Sequence, residues 1–124
     1  MAMESALEAR ETHSLIGSDK VEGTAVYRSN GDKVGTIERV MIDKISGKVA
    51  YAVMSFGGFL GIGEDYYPLP WKLLTYNPRL EGYEVNVGEQ QLKGAPKYTE
   101  HEGWDWARRG QSIDDYYHVP PYWA

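Results

Sequence analysis

The chain has 124 residues, of which 42% are hydrophobic and 25% charged. That is enough for one compact core and too apolar for a disordered polymer. The formal charge of −5 opposes nonspecific binding to phosphate backbones. With no cysteine there is neither a disulfide nor a thiolate metal site, and no run of about 18 apolar residues exists to span a membrane.

Fourteen glycines punctuate short apolar runs, a pattern of tight turns that points to an all-β domain. Met1 to Thr12 reads as a polar leader, charged at Glu4, Glu8, Arg10 and Glu11. It lacks the apolar centre of a secretory signal, so the chain is read as cytoplasmic. The folded domain is expected over residues 13–98. Leu15-Ile16 and Thr24 to Tyr27 read as short strands, and Ser29-Asn30-Gly31-Asp32 as the turn after them. Lys33 to Ile42 is a longer strand whose alternation slips, which predicts a bulge at Gly35 or near Glu38 and a bent strand. Bent strands are what barrels require.

Asp43 to Lys48 is a hairpin loop with Gly47 in a left-handed position. Val49 to Phe56 is apolar on both faces, whereas a half-exposed antiparallel strand alternates with polar residues. Its outer face is therefore expected to lie under the C-terminal tail or a second subunit. Gly57 to Asp65 is a tightly turned or mobile loop. Tyr66 to Pro70 is extended, and its two prolines predict an edge or a corner. Trp71 to Leu74 suits one helical turn, Tyr76 to Pro78 a turn, and Gly82 to Val87 a strand with Tyr83, Val85 and Val87 inward. Gly88 to Leu92 starts a turn or short helix that Gly94 to Pro96 closes.

The run Asn30-Gly31-Asp32-Lys33-Val34-Gly35-Thr36-Ile37, with Gly47 through Gly58, resembles the PRC-barrel family. Pro68-Leu69-Pro70-Trp71-Lys72-Leu73-Leu74 and Leu92 through Tyr98 resemble its single-domain bacterial branch. The resemblance implies a small, strongly bent antiparallel β-barrel with short helical turns and, here, an aromatic C-terminal tail. Related domains form the cytoplasmic part of the photosynthetic reaction-centre H subunit and the C-terminal domain of a ribosome maturation factor. The membrane helix of the first and the N-terminal domain of the second have no counterpart here. The resemblance therefore implies a docking role and no catalytic residues.

The tail, residues 99–124, carries Trp104, Trp106, Tyr116, Tyr117, Tyr122 and Trp123. Tyr116 to Trp123 reads as an extended or polyproline segment because prolines interrupt any helix. Large aromatics and arginine dominate interface hot spots, and exposed apolar clusters mark interfaces. The candidate partner-binding residues are therefore Tyr51, Met54 and Phe56 on the apolar strand, Phe59 and Leu60 in the glycine loop, and those six aromatics. The tail either folds back on its own barrel or docks on a second subunit.

Residues for chemistry are sparse. The loop Gly57 to Gly63 precedes Glu64-Asp65 and a proline-broken strand, not the helix and lysine of a phosphate cradle. The pairs Glu64-Asp65 and Asp114-Asp115 are poor chelates and are expected on the solvated surface. Asp43 to Gly47 lacks the spacing of a calcium loop. His13, His101 and His118 share no metal-binding spacing, and His118 is expected at the surface. Ser55 reads as a packing residue, with no base to activate it.

The expected function is a non-catalytic protein-binding adaptor, first of all as a homodimer, without metal or cofactor and without DNA or membrane insertion; RNA is disfavoured by charge. The alternatives are a ribosome- or RNA-processing-associated factor, and a small-ligand-binding protein or enzyme.

Overall fold

A computed structural model describes residues 14–56, 65–99 and 103–123. The expected leader, His13, His101, Glu64 and the glycine loop with Phe59 and Leu60 lie outside the described residues. The chain enters through a short helix α1 (Ser18–Val21) and strand β1 (Ala25–Arg28). Then come β2 (Lys33–Ile42), β3 (Val49–Phe56) and β4 (Asp65–Pro70). A 3₁₀ turn (Trp71–Leu73) leads to β5 (Leu74–Asn77) and β6 (Gly82–Val85). Helix α2 (Glu89–Lys93), β7 (Tyr98–Thr99) and helix α3 (Trp106–Tyr117) complete the order.

The seven strands form one sheet in the order β5-β6-β1-β2-β3-β4-β7. Strands β4 and β5 are five positions apart in that order, about 24 Å across a flat sheet at ~4.8 Å per strand. Yet only Trp71, Lys72 and Leu73 join them, and three residues reach roughly 10 Å. The sheet must therefore curl until its two ends approach. It is bent rather than closed, since no ladder joins β4 to β5.

Bulges supply the bend. The β2–β3 register skips Glu38 between Ile37 and Arg39, as the slipped alternation predicts, and skips Ala50 between Met41 and Ile42. The β1–β2 register skips Val34. Each extra residue adds local twist and curvature. Gly35 is required by this crowding: a Cβ there would lie 2.3 Å from the Ser55 carbonyl oxygen and 2.9 Å from Met54 Cγ.

Two expectations need correction. The sheet is not wholly antiparallel, because β1 and β6 pair in parallel. The continuous path from β4 through the 3₁₀ turn into β5 sets the direction of the β5–β6 hairpin, so β6 arrives at β1 running the same way. Residues Leu74–Asn77, read partly as a helical turn and partly as a loop, are a strand paired with β6. The prolines of β4 do sit at an edge: only Asp65 and Tyr66 pair with β7, leaving Pro68 and Pro70 paired on the β3 side alone.

The pairing separates two faces of β3. Ala52 and Met54 lie opposite Leu69 and Ile37, and all four are fully buried inside the curl. Tyr51, Val53 and Ser55 point the other way, yet they are buried as well. Substituting Gly35→Ala is expected to lower stability by about 1–3 kcal/mol, as overpacking does, and denaturant unfolding checks it.

Candidate functional site

At Tyr51 the outer face of β3 is covered by the chain's own tail. Helix α3 carries Trp106, Gly110, Ile113, Asp114 and Tyr117 along one side, at the spacing of a helical stripe. Asp105 caps its first turn by accepting from the Arg108 backbone N–H at 3.2 Å. At the other end His118 adopts the left-handed conformation (φ 56°). Its N–H donates to the Asp115 carbonyl and that of Val119 to Asp114, the paired bonds of a Schellman ending. The expectation of an extended segment from Tyr116 is thus corrected: Pro120 and Pro121 stop the helix after Tyr117 rather than prevent it.

Tyr51 is where the helix is fastened. Its hydroxyl donates to Asp114 Oδ2 at 2.7 Å and lies 3.2 Å from the Gly110 carbonyl oxygen. Its ring packs on Trp106 and edge-on against Tyr122, with centroids 5.3 and 6.3 Å away. The approach does not require glycine at position 110, since an added Cβ would lie 3.9 Å from the Tyr51 oxygen, an ordinary contact.

Asp114, expected on the solvated surface with Asp115, is only 1% exposed. Helical geometry turns the neighbours onto different sides, so Asp115 stays in solvent. Burial pushes the Asp114 carboxyl above its ordinary value, and the Tyr51 hydrogen bond partly offsets this. Burial also raises the Tyr51 and Tyr117 phenols, so both remain neutral. The Tyr117 hydroxyl and the Trp104 indole N–H are buried without a partner among the described residues.

Further contacts hold the tail at both ends. Trp104 packs against Tyr98 and Trp106, with the Arg109 guanidinium 4.0 Å above its ring. The Tyr116 hydroxyl donates to the Gln91 carbonyl, and Lys72 Nζ to the Pro121 carbonyl at 3.2 Å. The Tyr122 hydroxyl donates to Asp43 Oδ2 at 2.5 Å. Asp43 Oδ1 accepts from the backbone N–H groups of Ile45 and Ser46. Chiefly these loop and tyrosine donors hold its carboxyl down at about 2.

Between hairpin and tail lies a cleft of about 340 Å³, walled by Tyr51, Trp106, Tyr122 and Trp123 and floored by Met41, Ala50 and Gly110. Its rim is apolar and exposed. Ile42 is 51% and Trp123 63% exposed, and Ile45 at the hairpin tip is 99% exposed.

Of the candidate binding residues, Met54 is in the barrel interior and Tyr51, Trp104 and Tyr117 are buried beneath or within the tail. Phe56 is half-buried edge-on to Tyr67. Trp106, Tyr116 and Tyr122 are partly covered, and Trp123 alone of these aromatics is largely free. The sequence reading weighs Asp43 only as a calcium ligand and leaves Ile42 and Ile45 unassigned, although an aliphatic residue before the hairpin loop and another within it are a readable signal. His118 is exposed and Ser55 is buried, donating to the Thr36 carbonyl.

The PRC-barrel domain model matches residues 14–92, more than half of the chain. The chain belongs to the PRC-barrel family. No curated protein matches it. The PRC-barrel match ends within α2, so β7, which pairs with β4, and α3 with the terminal aromatics, which reach Tyr51 on β3, lie beyond it. PRC-barrel domains are small modules, often with interaction or adaptor roles. No helix among the described residues is long and apolar enough to cross a membrane.

Tyr51→Phe leaves the buried Asp114 without its donor, and is expected to weaken tail docking by about 1–3 kcal/mol at neutral pH. A carboxyl raised in the folded state favours the docked tail fully below its unfolded value near 3.8, and this advantage is lost as pH rises through the folded value. Tyr51→Phe is therefore expected to steepen the fall in tail stability from pH 4 upward; amide exchange in α3 measured against pH checks both. Gly110→Ala, meeting no clash, is expected to strengthen the helix by about 0.5–1 kcal/mol in the same measurement.

Proposed function

We propose that this PRC-barrel protein is a non-catalytic protein-binding adaptor, and that its binding surface is the aromatic cleft where the β2–β3 hairpin meets the end of the tail. The observation that carries this is the concentration of bare apolar side chains there: Ile42 and Trp123 line the cleft, and Ile45 stands exposed on the adjoining hairpin loop. A small domain gains nothing in stability by holding a tryptophan and two isoleucines in water, and such patches mark interaction sites. The family's frequent adaptor use agrees with this reading.

The non-catalytic part rests on how the titratable groups are engaged. Tyr51 and Asp114 bond each other beneath α3, and Asp43 holds the hairpin and Tyr122.

Homodimer formation was expected from the apolar outer face of β3 and from the tail. With the tail folded onto Tyr51, the exposed apolar residues at the cleft and hairpin are the dimer surface this reading favours. Light scattering at rising concentration, on the full chain and on Ile45→Asp, decides this. Concentration-dependent dimers abolished by the substitution identify the partner as a second copy. A monomer throughout directs the surface to a different protein. In either case Ile45→Asp and Trp123→Ala are expected to leave the melting temperature within about 2 °C, because both side chains are solvated. A large loss of stability would show that they are structural.

A further inference from the structure

We propose that the cleft between the hairpin and the tail receives a lysine or arginine side chain of a partner protein, held between aromatic walls and the Asp43 carboxylate. This rests on the protein-binding reading above and adds the chemistry of the ligand.

Three observations carry it. First, Asp43 is the only charged side chain among the residues lining the cleft. A carboxylate offers about four acceptor directions. Three are taken, by Ile45 N–H, Ser46 N–H and the Tyr122 hydroxyl, which leaves one for an incoming donor. Those bonds also hold the anion in place, so little ordering remains to be done on binding.

Second, no cation pairs with Asp43 among the described residues. Lys44 and Lys48 flank it in sequence, yet the ion pairs present involve Glu89 and Asp65 instead. The anion is therefore uncompensated beside an apolar cleft, in a chain whose net charge of −5 already favours basic partners.

Third, the walls suit the stem and head of a long basic side chain. Tyr51, Trp106, Tyr122 and Trp123 form a continuous run of ring contacts, with Tyr122 edge-on to Trp123 at 5.0 Å. Aromatic faces attract ammonium and guanidinium groups and pack against aliphatic stems. The same tail already uses this interaction internally, where Arg109 lies over Trp104. A neutral apolar occupant would satisfy the walls but leave the carboxylate facing it without a partner, which is costly.

The test uses the full ¹⁵N-labelled chain and three probes: the N-acetyl amides of arginine, lysine and norleucine. Norleucine has an apolar stem like that of lysine and no charge. Amide and indole shifts are followed at Asp43, Trp106 and Trp123. The expected result is saturable shifts with arginine and lysine and roughly tenfold weaker binding of norleucine. Asp43→Asn keeps an acceptor for the loop N–H groups and removes the charge, and should bring the cationic probes down to the norleucine level. Trp123→Ala, at an exposed position, should weaken all three.

Norleucine binding as tightly as lysine would overturn the cationic assignment and leave the protein-binding surface standing. Absence of cleft shifts with all three probes would overturn both. A dimer that shields Trp123 would also overturn the assignment, by giving the cleft to a second copy.

Discussion

Strand β3 imposes the constraint around which this molecule is organised. Val49 to Phe56 presents apolar side chains to both sides of the sheet, and one curled sheet can bury only one of them. Ala52 and Met54 fill the interior of the curl with Ile37 and Leu69. Tyr51 needs a second layer, and α3 with the terminal aromatics provides it. The tail is thus the outer half of a two-sided burial, although it lies beyond the stretch that matches the family.

That outer layer is held by polar fastenings set among aromatic rings. Asp114 could be replaced by an apolar residue as far as packing goes, and its burial as a carboxylate is unfavourable. Its bond with Tyr51 fixes where along the helix α3 sits, because each turn of α3 offers a different residue to the tyrosine hydroxyl. Asp105 and His118 fix where the helix begins and ends. The final residues are then led by Lys72 and Asp43 to the hairpin, and the cleft forms where they meet.

Much of the barrel was readable because its signals are local. The alternation slip in Lys33 to Ile42 marked the Glu38 bulge, Gly47 marked the hairpin (φ 78°), and the doubled apolar pattern of Val49 to Phe56 announced a cover. The parallel β1–β6 pair was not readable, since it depends on where a curled sheet brings two distant strands. Helix α3 was legible in part: Trp106, Gly110, Ile113 and Tyr117 recur at helical spacing behind an Asp cap. The signal was masked by Gly110, by a high aromatic content that favours strands, and by the prolines that follow. Asp114 looked solvated because its neighbour Asp115 is, a distinction that only the helical stripe makes. The proposed surface at Ile42, Ile45 and Asp43 was not singled out in the sequence, because most of the aromatic residues that stand out there are in fact packed.

The functional reading depends on the tail lying on its own barrel, because only then is the β3 face sealed and the hairpin cleft created. Isotope-filtered nuclear Overhauser measurements on a mixture of labelled and unlabelled chains test this directly. The account requires contacts from the Tyr51 ring to the Trp106 and Tyr122 rings within one chain, at concentrations where the protein is monomeric. Contacts found only between labelled and unlabelled chains, or no contact at Tyr51 at all, would contradict it.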